Sequence, residues 1–270
     1  MNQNSEKAQL FTSQSLDNME NGYCVTPDNT PLYYTVLGNG SKPLILLHGG
    51  LGDSREMMPV ISELDLSIYT LILIDFRGHG KSFHGKLALD YELYANDVFG
   101  VMDQLGIAKT SVIGYSDGAV TGIVMGYLQP ERVKTVIAIA PDTGIRGWKE
   151  DVNLDAEFAQ IANDEEMLND YESLSPEPEK FPLLLERVKN LWKSPVHVDM
   201  EKVTLIKAFC WIVGSDADEF IKLEDFELLF HKIPLANWYI FSNLKHGELT
   251  PALAKLSFGN IHVLSNMLED

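Results

Sequence analysis

The sequence predicts an α/β fold: a doubly wound, mostly parallel sheet of eight strands with an inserted helical cap. Two observations carry this prediction. Short, wholly apolar runs such as Pro43-Leu44-Ile45-Leu46-Leu47 lack the alternation of a half-solvated strand, so they belong in a sheet covered on both faces. Stretches with helical spacing lie between these runs, and strands that alternate with helices require crossovers and hence parallel neighbours.

Taken in order, residues 1–20 are polar with weak helical spacing and are expected to form a flexible N-terminal arm. Strands at 23–26 and 32–37 flank the turn-rich Pro27-Asp28-Asn29-Thr30-Pro31, so they read as an antiparallel hairpin at one end of the sheet. The strand at 43–47 runs directly into His48-Gly49-Gly50-Leu51-Gly52, and a short helix follows at 55–64. A second buried strand at 69–74 ends in Asp75-Phe76-Arg77-Gly78-His79-Gly80-Lys81-Ser82. Helical periodicity over 90–105 stops at Gly106. A strand at 110–113, an apolar helix at 119–128 and a strand at 133–140 come next. From 142 to 202 the rhythm breaks into acidic helices and the connection Ser175-Pro176-Glu177-Pro178, which reads as the cap. Strands at 209–213 and 238–241 and helices at 219–231 and 250–268 resume the pattern, so 21–141 and 203–270 form one core domain.

The composition narrows the function. With 39 Asp and Glu against 21 Lys and Arg, the formal charge is −18, which disfavours nucleic acid and an anionic membrane surface as partners. No apolar run approaches the roughly 18 residues that span a bilayer, and the first residues lack the layout of a signal peptide, so a cytoplasmic location is expected. Cys24 and Cys210 lie in predicted strands without metal-ligand spacing and read as buried, reduced thiols; no metal and no cofactor are called for.

Gly114-Tyr115-Ser116-Asp117-Gly118 sits where a strand becomes a helix. A serine on so sharp a turn is held in strained backbone, glycines two residues away on either side remove Cβ atoms that would clash, and the helix N-terminus favours developing negative charge. Together with His48-Gly49-Gly50 and the 75–82 motif, in this order, the stretch resembles the α/β-hydrolase fold family over nearly the whole chain from about Gly22, with some likeness to its valacyclovir-hydrolase-like branch. The resemblance implies a serine hydrolase of the carboxylesterase kind, with Ser116 on a nucleophile elbow.

A neutral hydroxyl needs a neighbouring base. Among seven histidines, His48, His79 and His84 belong to loops they are expected to shape, His197 lies by the cap, His231 ends a helix and His262 is expected inside the last one. His246 lies in the loop between the final strand and final helix, where the family places its catalytic imidazole. The acid falls between 116 and 246 in chain order. Asp216 and Asp218 both bracket the family's usual position, which here is Ala217; Asp218 is favoured because its continuation into Glu219-Phe220 resembles the family, and Asp216 is the alternative. The family's oxyanion donors correspond to the backbone N–H groups of Gly50 and Asp117, with Leu51 as the fallback for Gly50. Asp117 is also expected to face a substrate amino group, as in the valacyclovir-hydrolase-like branch, or else to be an acid favoured by the helix dipole. Trp148 and Trp192 line an acyl pocket or form cap core. The implied reaction cleaves a small-molecule ester, thioester or related acyl bond through an acyl-enzyme, with water as co-substrate. The same residues are compatible with a C–C bond hydrolase, a cofactor-free perhydrolase, or a small-molecule receptor with little turnover.

Overall fold

The computed structural model describes residues 20–258 and 261–268; nearly all of the expected N-terminal arm lies outside them. Strands β1 (Glu20–Val25), β2 (Pro31–Leu37), β3 (Lys42–Leu47), β4 (Tyr69–Ile74), β5 (Thr110–Tyr115), β6 (Val133–Ile139), β7 (Phe209–Ser215) and β8 (Ala236–Phe241) form one sheet in the order β1-β2-β4-β3-β5-β6-β7-β8. β1 pairs antiparallel with β2, and β2 with β4. From β4 onward every neighbour is parallel. The strand order reverses between β3 and β5, where Leu47 is in register with Gly114. The carboxyl ends of these two strands therefore open the crevice where ligands bind in such sheets, bringing the 48–52 loop beside Ser116.

Alternation along β3 shows why the runs are apolar throughout: Ile45 and Leu47 face one core, Leu44 and Leu46 the other. The first core is closed by α2 (Tyr91–Gln104), α3 (Asp117–Leu128) and α7 (Leu223–Lys232), the second by α1 (Met58–Ile61), α8 (Leu249–Lys255) and α9 (Val263–Met267). Asp90 caps α2 by accepting the Leu93 N–H at 2.7 Å. Between β6 and β7 lie α4 (Leu154–Ile161), α5 (Glu165–Leu174) and α6 (Phe181–Trp192). In α6, Phe181, Leu184, Leu185, Val188 and Leu191 repeat at helical spacing, and this stripe is buried against the first core.

Three elements depart furthest from the sequence reading. The expected helix at 55–64 is a 3₁₀ turn over Ser54–Met57 followed by one α turn. The expected start of α7 at 219 is delayed because the Asp218 carboxylate captures the N–H groups of Phe220 and Ile221, forming a turn before the helix begins. The expected helix at 250–268 ends at Lys255, and β9 (Ser257–Phe258) pairs antiparallel with β10 (Ile261–His262), so His262 lies in a strand rather than a helix. Gly259-Asn260, outside the described residues, is the dipeptide that signals a hairpin in sequence.

The loop after β4 is architectural. Asp75 accepts the N–H groups of Ser54 and Lys81. Arg77, 1% exposed, forks onto Asp97 of α2 at 2.5 and 2.7 Å and onto Asp28 of the β1–β2 turn at 2.8 and 2.9 Å. Burial holds the Asp97 carboxyl above its ordinary value despite the guanidinium, whereas the hydrogen bonds from Arg77 hold the more exposed Asp28 well below. Removing one partner of a buried pair costs far more than the pair contributes net. Arg77→Ala is therefore expected to lower stability by about 3–5 kcal/mol, read as a shift in the urea midpoint; an unchanged midpoint would show that the fork stabilises nothing.

Candidate active site

Ser116 joins β5 to α3 with φ 52° and ψ −116°, a left-handed conformation that non-glycine residues rarely adopt. Its N–H donates to Ile139 O at 2.8 Å, which ties the turn to β6. The flanking glycines are required by contact: a Cβ at Gly114 would lie 2.1 Å from Gly118 O, and one at Gly118 would lie 2.3 Å from Leu47 O. Helix α3 thus packs its first turn directly on the backbone of β3, and any larger residue would lift Ser116 out of place.

His246 comes to Ser116 from the far side of the sheet. The loop after β7 accepts three N–H groups from the loop after β8: Ser215 Oγ from Leu244, Asp216 Oδ1 from Asn243, and Glu219 Oε2 from His246. Thus aligned, His246 Nδ1 donates to Asp218 Oδ2 at 2.8 Å, and Nε2 lies 3.1 Å from Ser116 Oγ. Phe220 and Tyr115 pack against the ring at centroid distances of 5.4 and 5.3 Å. Asp218 is fully buried; burial raises its pKa, but the His246 imidazole and the Ile221 and Phe220 N–H groups prevail and hold it below the ordinary value. It stays an anion, so the Nδ1–H tautomer is favoured and Nε2 is left to accept the Ser116 hydroxyl. Of the two aspartates considered from sequence, Asp218 meets the imidazole and Asp216 splices the two loops.

The 48–52 loop faces Ser116 from β3. His48 Nε2 accepts the Phe76 N–H, and Glu56 Oε2 accepts the Gly49 N–H at 2.7 Å. The Leu51 N–H donates to His79 Nε2 at 3.1 Å, and Leu51 has φ 64°. Burial drives the His79 pKa down to about 3, so the ring stays neutral and its Nε2 keeps that acceptor role. The fallback donor Leu51 is thereby committed elsewhere. Among the described residues the Gly50 and Asp117 N–H groups have no protein acceptor. Glu56 went unnoticed in the sequence because it belongs to no motif, and Glu219 was noted only as the residue that follows Asp218; what each side chain binds depends on loops that meet only in the fold.

A cavity of about 200 Å³ opens over Ser116 and His246, walled by Trp148, Ile161, Met167, Trp192, Phe220 and Ile221, with Glu56 and Asp142 also on its lining. Three larger clefts, of about 590, 440 and 360 Å³, do not include Ser116. Trp148 and Trp192, expected from sequence, therefore line the site. The Asp117 side chain does not: it is 2% exposed, absent from the cavity wall, and accepts the Tyr91 hydroxyl and the Trp192 indole N–H, both at 2.9 Å on Oδ1. The expectation that it faces a substrate amino group is corrected by this geometry, because both donors come from the protein. A second buried pair, His197 Nδ1 with Asp142 Oδ1 at 2.5 Å, borders the cavity through Asp142.

Burial, opposed mainly by the Tyr91 hydrogen bond, pushes the Asp117 pKa up to about 6 from an ordinary value of 3.8. Between those values the folded chain holds a proton that the unfolded chain has released, so this group's contribution to stability falls as pH rises through that window. Asparagine does not titrate. Asp117→Asn is therefore expected to gain on wild type by on the order of 3 kcal/mol in unfolding free energy between pH 4 and pH 7.5. Paired urea titrations at the two pH values check this, and a constant difference would contradict it.

Comparison with known proteins agrees with this architecture. A family model described as alpha/beta hydrolase fold matches residues 42–179. A Haemophilus influenzae protein with the provisional designation esterase/lipase is 28% identical over 227 residues, 75% of this chain and 76% of that one. A carboxylesterase from Bacillus subtilis superposes with a TM-score of 0.67 at 18% identity, over 90% of this chain and 89% of its own. A meta-cleavage product hydrolase from Pseudomonas fluorescens gives the same TM-score at 18% identity, over 84% and 90%.

Proposed function

Because the chain belongs to the α/β-hydrolase fold family, we propose that it is a serine hydrolase that cleaves a small ester, thioester or related acyl compound. The observation that carries this reading is the continuous hydrogen-bond chain from Asp218 through His246 to Ser116, ending at the mouth of an apolar cavity. The designations of the H. influenzae and B. subtilis relatives support it.

In this mechanism Ser116 Oγ attacks the acyl carbonyl while His246 Nε2 takes its proton, and Asp218 stabilises the resulting imidazolium and holds its tautomer. The carbonyl oxygen becomes an oxyanion that accepts from the N–H groups of Gly50 and Asp117; both are free of acceptors among the described residues, and Asp117 opens helix α3, whose dipole favours the charge. His246 then returns the proton to the departing alcohol or thiol as the bond to the acyl carbon breaks. Water, deprotonated by His246, attacks the acyl-enzyme, and the second collapse releases the acid and restores Ser116. The helices of 142–202 act as the cap, since Trp148, Ile161, Met167 and Trp192 come from that segment and shield the acyl group from solvent. A cavity of about 200 Å³ is smaller than the roughly 300–1,000 Å³ of drug-sized pockets, so the acyl group is small.

Short p-nitrophenyl esters test the reading. Ser116→Ala and His246→Ala are each expected to lower kcat by on the order of a million-fold while the fold, followed by circular dichroism, is retained. Asp218→Asn is expected to lose roughly ten-thousand-fold, and Asp216→Asn far less. Many product equivalents per chain separate an enzyme from a receptor; turnover that persists in Ser116→Ala would refute the proposal.

A further inference from the structure

We propose that the Asp117 carboxylate is a specificity-determining latch that holds the Trp192 indole over Gly50 and so limits the size of the acyl group. This rests on the serine-hydrolase reading above.

Three groups are packed against one another at one end of the cavity. A Cβ built on Gly50 would lie 2.5 Å from Trp192 Cζ2 and 2.6 Å from Asp117 Oδ2, so backbone, indole and carboxylate leave no space between them. Trp192 is the last residue of α6, whose apolar stripe anchors the helix in the first core; the indole is the tip that reaches the elbow. Its Nε1–H is 2.9 Å from Asp117 Oδ1 and 3.2 Å from Oδ2, while Tyr91 of α2 donates to the same Oδ1. Helices α2, α3 and α6 therefore meet at one carboxylate. The outer faces of the indole pack on Phe158 and Trp148 at 5.3 and 5.7 Å, completing an aromatic wall.

The energetics favour a positioning role. A buried carboxylate is costly unless donors satisfy it, and here the donors are two side chains whose own polar atoms would be orphaned without it. A charge-assisted hydrogen bond in a low-dielectric site is stronger than a neutral one, so the indole is fixed more firmly than packing alone would fix it. With the acceptor removed, the ring is free to swing from Gly50, and the cavity lengthens toward the interior of the cap.

The test is the ratio of kcat/KM for p-nitrophenyl octanoate to that for the acetate, taken within each variant so that any general loss cancels. Trp192→Ala, Trp192→Phe and Asp117→Ala are expected to raise this ratio by tenfold or more, since every two methylenes newly accommodated are worth roughly tenfold. Asp117→Asn keeps an oxygen acceptor for the indole and is expected to retain the wild-type ratio; this rescue is one that a general structural defect would not give. Binding of octanoate against butyrate, followed by tryptophan fluorescence, reads the same cavity without turnover and is expected to rank the variants identically. Wild-type turnover with unchanged ratios in Trp192→Phe and Asp117→Ala overturns the latch and leaves the hydrolase reading intact. Absence of wild-type turnover overturns the hydrolase reading, and the binding series then decides the latch by itself. Equal shifts in Asp117→Asn and Asp117→Ala overturn it as well.

Discussion

The architecture of the site depends on one close approach: the first turn of the helix after β5 rests on the main chain of β3, with Gly118 against Leu47 O and Gly114 against Gly118 O. That contact holds Ser116 at φ 52° at the carboxyl edge of the sheet. Strain of this kind persists only where the surroundings over-determine it, and here they do: β5 and the first turn of the helix lie in a buried layer, and the Ser116 N–H is pinned to β6. The remaining parts converge on this fixed point. The 48–52 loop comes from β3, one strand away, and the His246 loop from β8, three strands away.

Environment gives each aspartate around that point a different task. Asp218 is held anionic by an imidazole and two backbone N–H groups. Asp117 is two residues from the strand end yet buried among a phenol and an indole, and its pKa rises to about 6. Asp225 also rises to about 6, with burial the main cause, while its oxygens take the Thr143 N–H and hydroxyl at 2.7 Å. That bond fastens the start of the 142–202 segment to the helix after β7. Side chains of identical chemistry thus meet a histidine, an indole and a loop backbone, and the number and kind of donors around each differ.

The helical segment and the sheet contribute unequally. The sheet presents backbone, the glycine loop and strained serine turn, whose positions follow from close-packed main-chain contacts. The segment presents side chains: Trp148, Ile161, Met167 and Trp192 form one wall of the cavity over Ser116. That wall lies apart from the hydrogen-bond chain beneath it, so the two are built from different parts of the chain.

Much of this was legible in the residues alone. Apolar runs such as 43–47 and 71–74 determined a sheet buried on both faces, because no alternating pattern leaves a side for water. Gly114-Tyr115-Ser116-Asp117-Gly118 at a strand-to-helix junction determined the turn, since the packing tolerates only glycine at its ends. His246 was identifiable by its loop, and Asp218 and Asp216 as a pair. Only the tertiary structure shows which of the two meets the imidazole, because that depends on a ring 28 residues away, and local sequence carries no distance of that kind. It likewise withdrew Leu51 from donation through His79, turned Asp117 away from the cavity toward Tyr91 and Trp192, and gave Glu56 and Glu219 their partners. Each of these is a contact between distant segments, and its energy exists only once the chain has folded and water has been excluded.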